Sequence, residues 1–230
     1  DMNVNSNSYT YTFALILVVV VAALLAGAAS MLKPFQQSNI QLEKKQNILK
    51  SVGVIVDRNE ADAPFEKMIT EYVIKGGNIV ESPEVAAFDI DMSKAVKLTP
   101  DSREVPLYIA DKDGEKFFIL PLRGKGLWGP IWGYVALKSD GKTIAGATFD
   151  HKGETPGLGA EISTDAFQDQ FLGKSIFEGG SYAPITVMKG TASGDHQVDG
   201  ISGGTITSVG LEDMLDDCIQ PYKNYLKTVQ

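Results

Sequence analysis

Leu107-Tyr-Ile-Ala110 and Lys116-Phe-Phe-Ile-Leu-Pro121 stand on either side of Asp113-Gly114. Trp132-Gly-Tyr-Val-Ala-Leu137 and Thr143-Ile-Ala-Gly-Ala-Thr-Phe149 stand in the same way around Asp140-Gly141. Apolar, aromatic and β-branched runs of this length read as strands, and Asp-Gly supplies the positive φ that a tight hairpin turn requires. Two hairpins in succession predict an antiparallel sheet. Further on, Thr164 to Leu172 reads as a helix capped by Thr164, and Ile185-Thr-Val-Met188 as a last strand. From Val209 onward Leu211, Met214, Leu215, Cys218, Ile219, Tyr222, Tyr225 and Leu226 recur at steps of three and four, which is the helical period. Thr207 and Ser208 are both residue types that cap such a helix. Helices at both ends of an antiparallel sheet make an α+β domain.

On the N-terminal side, Ala61 to Lys75 reads as a short helix ended by Gly76-Gly77, and the stretch from there to Pro106 is polar, mixed and unassigned. Lys33 to Leu49 reads as a helix starting after Pro34. Phe13 to Leu32 is twenty residues without a charge. At about 1.5 Å per residue, a helix of that length spans a bilayer core. Ala26-Gly-Ala28 looks like a signal-peptidase site, but the charged leader is missing and the apolar run is long, which favours an uncleaved single-span anchor. The expected organisation is a tail over 1–12, a transmembrane helix over 13–32, a helical connector and start of the soluble domain over 33–106, and the domain core over 107–230. No Lys or Arg precedes the span, whereas Lys33, Lys44, Lys45 and Lys50 follow it, and by the positive-inside rule this places the domain in the cytoplasm.

Composition sets limits on function. The 230 residues carry a formal net charge of -8, and no basic patch stands out, which argues against nucleic acid as a partner. A single cysteine, Cys218, excludes an internal disulfide and a thiolate-held iron–sulfur cluster within the chain. It falls on the apolar face of the last helix and is expected in the core.

Several motifs resemble catalytic signatures and fail on context. Gly124-Lys-Gly-Leu-Trp-Gly129 satisfies G-x-G-x-x-G, but a dinucleotide site needs a helix after it, and Pro130 and a strand follow. Gly200-Ile-Ser-Gly-Gly204 satisfies G-x-S-x-G, but both histidines, His151 and His196, precede Ser202, the wrong order for that hydrolase triad. Gly173-Lys-Ser175 lacks the upstream glycine of a phosphate-binding loop, because position 168 is Gln. His151 and Glu154 are too few to argue a metal.

Two other stretches carry more. Val198-Asp-Gly-Ile-Ser-Gly-Gly-Thr-Ile-Thr-Ser-Val209 sets an acid, a flexible turn and four hydroxyls directly before the last helix. A helix N-terminus offers free N–H groups and partial positive charge, so a phosphate is at home there, and Gly203-Gly204 permits close approach. A plain Gly-rich turn with a capped helix behind it reads the same residues without a ligand. His151-Lys-Gly-Glu-Thr-Pro-Gly-Leu-Gly159 is a turn by its Thr-Pro-Gly, and also a loop of N–H groups, a Glu, a Thr and an apolar Leu that suits a flavin ring.

Asp199-Gly-Ile-Ser-Gly-Gly-Thr205 resembles the D-x-x-[ST]-G-A-T signature at which flavin transferase esterifies FMN, through its phosphate, to the last threonine; Gly204 departs from the usual Ala. The run H-x-x-E-T-P-G-L-G over 151–159 and the G-x-G-L-W segment ending at Trp128 resemble segments of the same family. Leu32-Lys-Pro-Phe-Gln36 and Glu43-Lys-Lys-Gln-Asn-Ile-Leu49 resemble the C-subunit family of bacterial sodium-translocating NADH:quinone reductases more than the related G subunits of Rnf complexes.

The resemblance implies a single-pass inner-membrane flavoprotein with an FMN-binding domain on the periplasmic side, against the charge rule. It implies covalent FMN on Thr205, with Ser202, Gly203, Gly204, Trp128, Glu154, Thr155, Leu158, Gly159 and Lys189 around it, the lysine favouring a negatively charged reduced ring. Asp199 and Ser202 would serve recognition by flavin transferase. The partners are the membrane, the other subunits of the reductase and, during maturation, flavin transferase. The chain would relay electrons and carry no acid–base or nucleophilic set of its own. The alternatives are an Rnf-type G subunit and an anchored domain that only binds partners. A pilin-like protein is disfavoured, because 13–32 lacks the glutamate those use in assembly.

Overall fold

The computed structural model describes residues 6–230, so part of the expected 1–12 tail lies outside the described residues. Contacts divide the chain into two units, one ending at Lys44 and one running from Lys45 to Gln230.

The first unit is helical. Helix α1 runs from Asn7 to Ser51 without interruption, so residues from Asn7 onward are helix and not tail. Ser6 accounts for the early start: its Oγ accepts from Tyr9 N–H at 3.3 Å, the bond an N-cap makes. Pro34 lies inside the helix and does not begin a new one. Its missing N–H removes one main-chain bond, which the turns on either side bridge. Leu15, Leu24 and Leu25 are all more than half exposed, and the helix is long and apolar enough to cross a membrane.

The second unit is built on a six-stranded antiparallel sheet in the order β2-β1-β3-β4-β5-β6. Its strands are β1 (Ile69–Lys75), β2 (Asn78–Ile79), β3 (Glu104–Lys112), β4 (Glu115–Lys125), β5 (Pro130–Leu137) and β6 (Ile144–His151). Both expected hairpins are present. Asp113 and Gly114 take φ of 56° and 86°, the two left-handed residues of a tight turn. In the second turn Asp140 accepts from the N–H groups of Lys142 and Thr143 and from the Thr143 hydroxyl.

The expected helix over Ala61–Lys75 is not what forms. Helix α2 covers only Asp62–Met68, and Ile69-Thr-Glu-Tyr-Val-Ile-Lys75 is a strand paired along its whole length with β3. Those residues are rich in β-branched and aromatic types, and pairing across the sheet overrides the local helical pattern. Gly76 and Gly77, with φ of 56° and 80°, make the β1–β2 turn. The sheet therefore begins inside the segment read as connector and start of the soluble domain.

Both faces of the sheet are covered. On one, Ile48 and Leu49 at the end of α1, with Val52 just beyond it, join Phe65, Tyr108, Ile119 and Ala136. On the other lie the short helix α3 (Met92–Ala95) and the helices of the C-terminal half. Helix α4 (Asp165–Gln168) is capped by Thr164, whose hydroxyl accepts from Phe167 N–H. Helix α5 (Thr205–Ile219) lies along β4, and α6 (Lys223–Thr228) follows it. The hairpin of β7 (Phe177–Glu178) and β8 (Ser181–Tyr182), and a parallel pair of β9 (Thr186–Met188) with β10 (Gln197–Asp199), complete this side. Leu211, Met214, Leu215, Cys218 and Ile219 of α5 are at most 2% exposed. At about 1.5–3 kcal/mol per large apolar side chain, this burial far outweighs the ~1 kcal/mol of a side-chain cap. That is why α5 forms with Gly204 at its cap position. Thr207 and Ser208, expected to cap it, lie within its first turn and are buried.

Candidate functional site

Three stretches from separate parts of the sheet and α5 converge on one cleft of about 220 Å³. The β4–β5 turn supplies Leu127 and Trp128, the loop after β6 supplies Glu154, Thr155, Leu158 and Gly159, and the start of α5 supplies Gly203 to Thr207. Each approach depends on glycine where there is no room for a side chain. A Cβ at Gly203 would stand 2.6 Å from Leu158 Cδ2, and a Cβ at Gly210, one turn into α5, would overlap the Lys125 carbonyl at the end of β4.

Glu154 is the polar centre of the site and is only 4% exposed. Thr207 Oγ1 donates to its Oε2 at 2.5 Å and Trp128 N–H to its Oε1 at 2.8 Å. Burial by itself would raise this carboxyl; the bonds from Thr207, Trp128 and Leu127 outweigh burial and hold it below the usual carboxylate range. Ser208 Oγ accepts from Ile201 N–H at 3.1 Å, which folds the glycine turn back onto the helix. Asp199 closes the preceding loop, accepting from Ala192 N–H at 2.5 Å while its own N–H donates to Gln170 Oε1 at 2.7 Å.

Of the residues singled out in sequence, Trp128, Glu154, Thr155, Leu158, Gly159, Gly203, Gly204 and Thr205 line this cleft, whereas Ser202 and Lys189 are exposed and stand outside its lining. Leu127, Ile206 and Thr207 line it too, beyond what the motifs indicate. Leu127 sits inside the quoted G-x-G-L-W segment; Thr207 reads as a cap in sequence because its partner lies 53 residues away. Among the four hydroxyls of Ser202 to Ser208, only that of Thr205 is both exposed and on the cleft: Thr207 is 1% and Ser208 5% exposed.

The residues suit a flavin nucleotide. Leu127, Trp128, Leu158 and Ile206 are 41–68% exposed and offer apolar surface to a ring. The first N–H groups of α5 are left over by helix geometry and are available to an anion at the Thr205 end. Among the described residues no group of three His, Cys, Asp or Glu could hold a metal ion. Cys218 is buried, and burial pushes its thiol up to about 12, which leaves it inert.

Comparison with known proteins gives the family. The FMN-binding domain family matches residues 126–220. The C subunit of the Na(+)-translocating NADH-quinone reductase of Haemophilus ducreyi is 33% identical over 208 residues, 82% of this chain and 80% of its own. The crystal structure of the corresponding protein from Parabacteroides distasonis aligns with a TM-score of 0.77 at 41% identity, covering 85% of this chain and 96% of that one. The NqrC structure from Shewanella oneidensis aligns with a TM-score of 0.69 at 27% identity over 82% of this chain and 98% of its own. The chain belongs to the family of Na(+)-translocating NADH-quinone reductase C subunits and carries that family's FMN-binding domain.

Proposed function

We propose that this chain is the membrane-anchored flavoprotein subunit of a sodium-pumping NADH:quinone oxidoreductase, relaying electrons through one FMN esterified by its phosphate to Thr205. The observation that carries this reading is that the three motif segments share one cleft, and among the hydroxyls of Ser202 to Ser208 only that of Thr205 is exposed on it, at the start of α5. Similarity to C subunits over four fifths of the chain favours this complex over an Rnf-type one, and the FMN-binding family match disfavours a cofactor-free binding domain.

When bound, FMN supplies the uptake and release of electrons one at a time. The chain's own residues hold it. The N-terminal N–H groups and dipole of α5 would hold the phosphate, and Leu127, Trp128, Leu158 and Ile206 would offer apolar surface to the ring. Glu154, Thr155 and Gly159 form the polar wall. Pockets that enclose a small ligand run to about 300–1,000 Å³, and this one is near 220 Å³. A flavin nucleotide here stays partly exposed, so the phosphoester does the holding that enclosure does elsewhere. Ser202, exposed beside the acceptor, is free for contact with flavin transferase, and Asp199 serves the same recognition by shaping the loop. Lys189, exposed and outside the lining, acts only at the rim.

The apolar helix anchors the chain in the inner membrane with the domain on the periplasmic side, where flavin transferase works. A membrane-impermeant thiol reagent that cannot reach a Ser202→Cys variant from that side refutes this placement. The cofactor assignment is tested by Thr205→Ala: fluorescence of the denatured band disappears while far-ultraviolet circular dichroism is unchanged. Covalent flavin retained in that variant contradicts the assignment.

A further inference from the structure

The Glu154 carboxylate is enclosed by the parts of the cleft that differ most in sequence position. Thr207 Oγ1 bonds its Oε2 at 2.5 Å, and Trp128 N–H its Oε1 at 2.8 Å. On the other side, the Glu154 N–H donates to His151 Nδ1 at 3.1 Å. Glycines flank both oxygens: a Cβ at Gly126 would stand 2.7 Å from Oε1, and one at Gly159 2.5 Å from Oε2. A buried carboxylate is stable only with its acceptor sites filled. The donors that fill them here come from the Trp128 turn and from the first turn of α5.

We propose that Glu154 and Thr207 form a positioning pair that clamps the turn bearing Trp128 onto the helix end bearing Thr205. A flavin tethered at Thr205 then meets the Trp128 indole in one fixed arrangement; this rests on the reading of Thr205 above. Thr207 is 1% exposed, so its hydroxyl acts through Glu154 and not on the cofactor. Without that hydroxyl, Oε2 loses its side-chain donor and the carboxylate must turn to water, which frees the Trp128 N–H and loosens the turn.

The test uses the full-length chain produced with flavin transferase, as Thr207→Val, which keeps the shape and removes the hydroxyl, and Thr207→Ser, which keeps the hydroxyl. One readout is visible circular dichroism per attached flavin, with attachment counted by intact mass. The other is the fluorescence anisotropy of Trp128 in a flavin-free Thr205→Ala, Trp132→Phe background, where it is the sole tryptophan of the two in the chain. Thr207→Val loses most of the flavin dichroism and lowers the Trp128 anisotropy; Thr207→Ser restores both. Wild-type signals in the valine variant overturn the proposal, as does lowered anisotropy with unchanged flavin dichroism. Should valine unfold the chain, loss of either signal in the folded serine variant overturns it as well. A wild-type chain that takes no flavin refutes the Thr205 reading, and the role of the clamp with it. The flavin-free anisotropy separates that failure from absence of the clamp itself.

Discussion

Gly210→Ala is predicted to destabilise the domain, although an alanine in place of a helical glycine ordinarily stabilises by about 1 kcal/mol. Gly210 lies where α5 crosses the end of β4. A Cβ there would overlap the Lys125 carbonyl oxygen and stand 3.2 Å from the Lys125 carbonyl carbon. Lys125 pairs with Pro130 in the sheet, and what the new methyl meets is backbone and not the tip of a flexible side chain. Overpacking costs about 1–3 kcal/mol, and an unyielding partner places this site in the upper half of that range. After the gain in helix propensity, the net loss is about 1–2 kcal/mol. The assay is urea unfolding of the detergent-solubilised full chain followed by tryptophan fluorescence. With a denaturant slope of about 2 kcal/mol per molar, the midpoint falls by roughly 0.5–1 M. An unchanged or raised midpoint shows that α5 does not rest on β4 as described, and the cleft geometry falls with it.

Asp217→Ala strips the fully buried Arg103 of bonds at 2.7 and 2.8 Å and leaves it one bond to a main-chain carbonyl. The expected loss is about 3 kcal/mol, the low end for a buried pair because the Asp217 side chain is 45% exposed, and the urea midpoint reads it. Glu154 has its folded pKa held below its unfolded value, so its charge contributes stability above the ordinary carboxylate range that is lost as pH falls through the folded pKa. Glu154→Gln removes that titration: the gap in urea midpoint between wild type and variant is widest at neutral pH and narrows on acidification, and a constant gap contradicts the lowered pKa. Gly204→Ala introduces the family's usual residue. Its Cβ would stand 2.9 Å from Ile201 Cγ2 and 3.0 Å from Ile201 Cβ, so the turn at Ile201 must shift; stability falls by about 1–2 kcal/mol, while flavin attachment persists by intact mass.

How much of the fold is readable from sequence follows from the range of the interactions involved. The hairpins are legible because Asp113-Gly114 and Asp140-Gly141 fix their turns with neighbouring atoms alone. The cap of α4 at Thr164 is equally local. Strand β1 is hidden, because Ile69 to Lys75 becomes a strand through pairing with a partner about thirty residues on or more, and the helical spacing before it runs straight in. Thr207 misleads for the same reason: a threonine before an apolar run resembles a cap until Glu154 arrives from the β6 loop. Most of the cleft lining is legible from motif resemblance, since the loops carry it as contiguous runs. The exclusion of Lys189 and Ser202 from the lining is not, because a side chain's side of a loop is set by how that loop packs.

Covalent FMN on Thr205 is open to one decisive measurement, the mass of the chain produced with and without flavin transferase, followed by mapping of the modified peptide. The expected gain is one FMN less water, only when the transferase is present, located on Thr205 within the peptide that begins α5. An unmodified chain in both hosts, or the same gain located on any other residue, contradicts it.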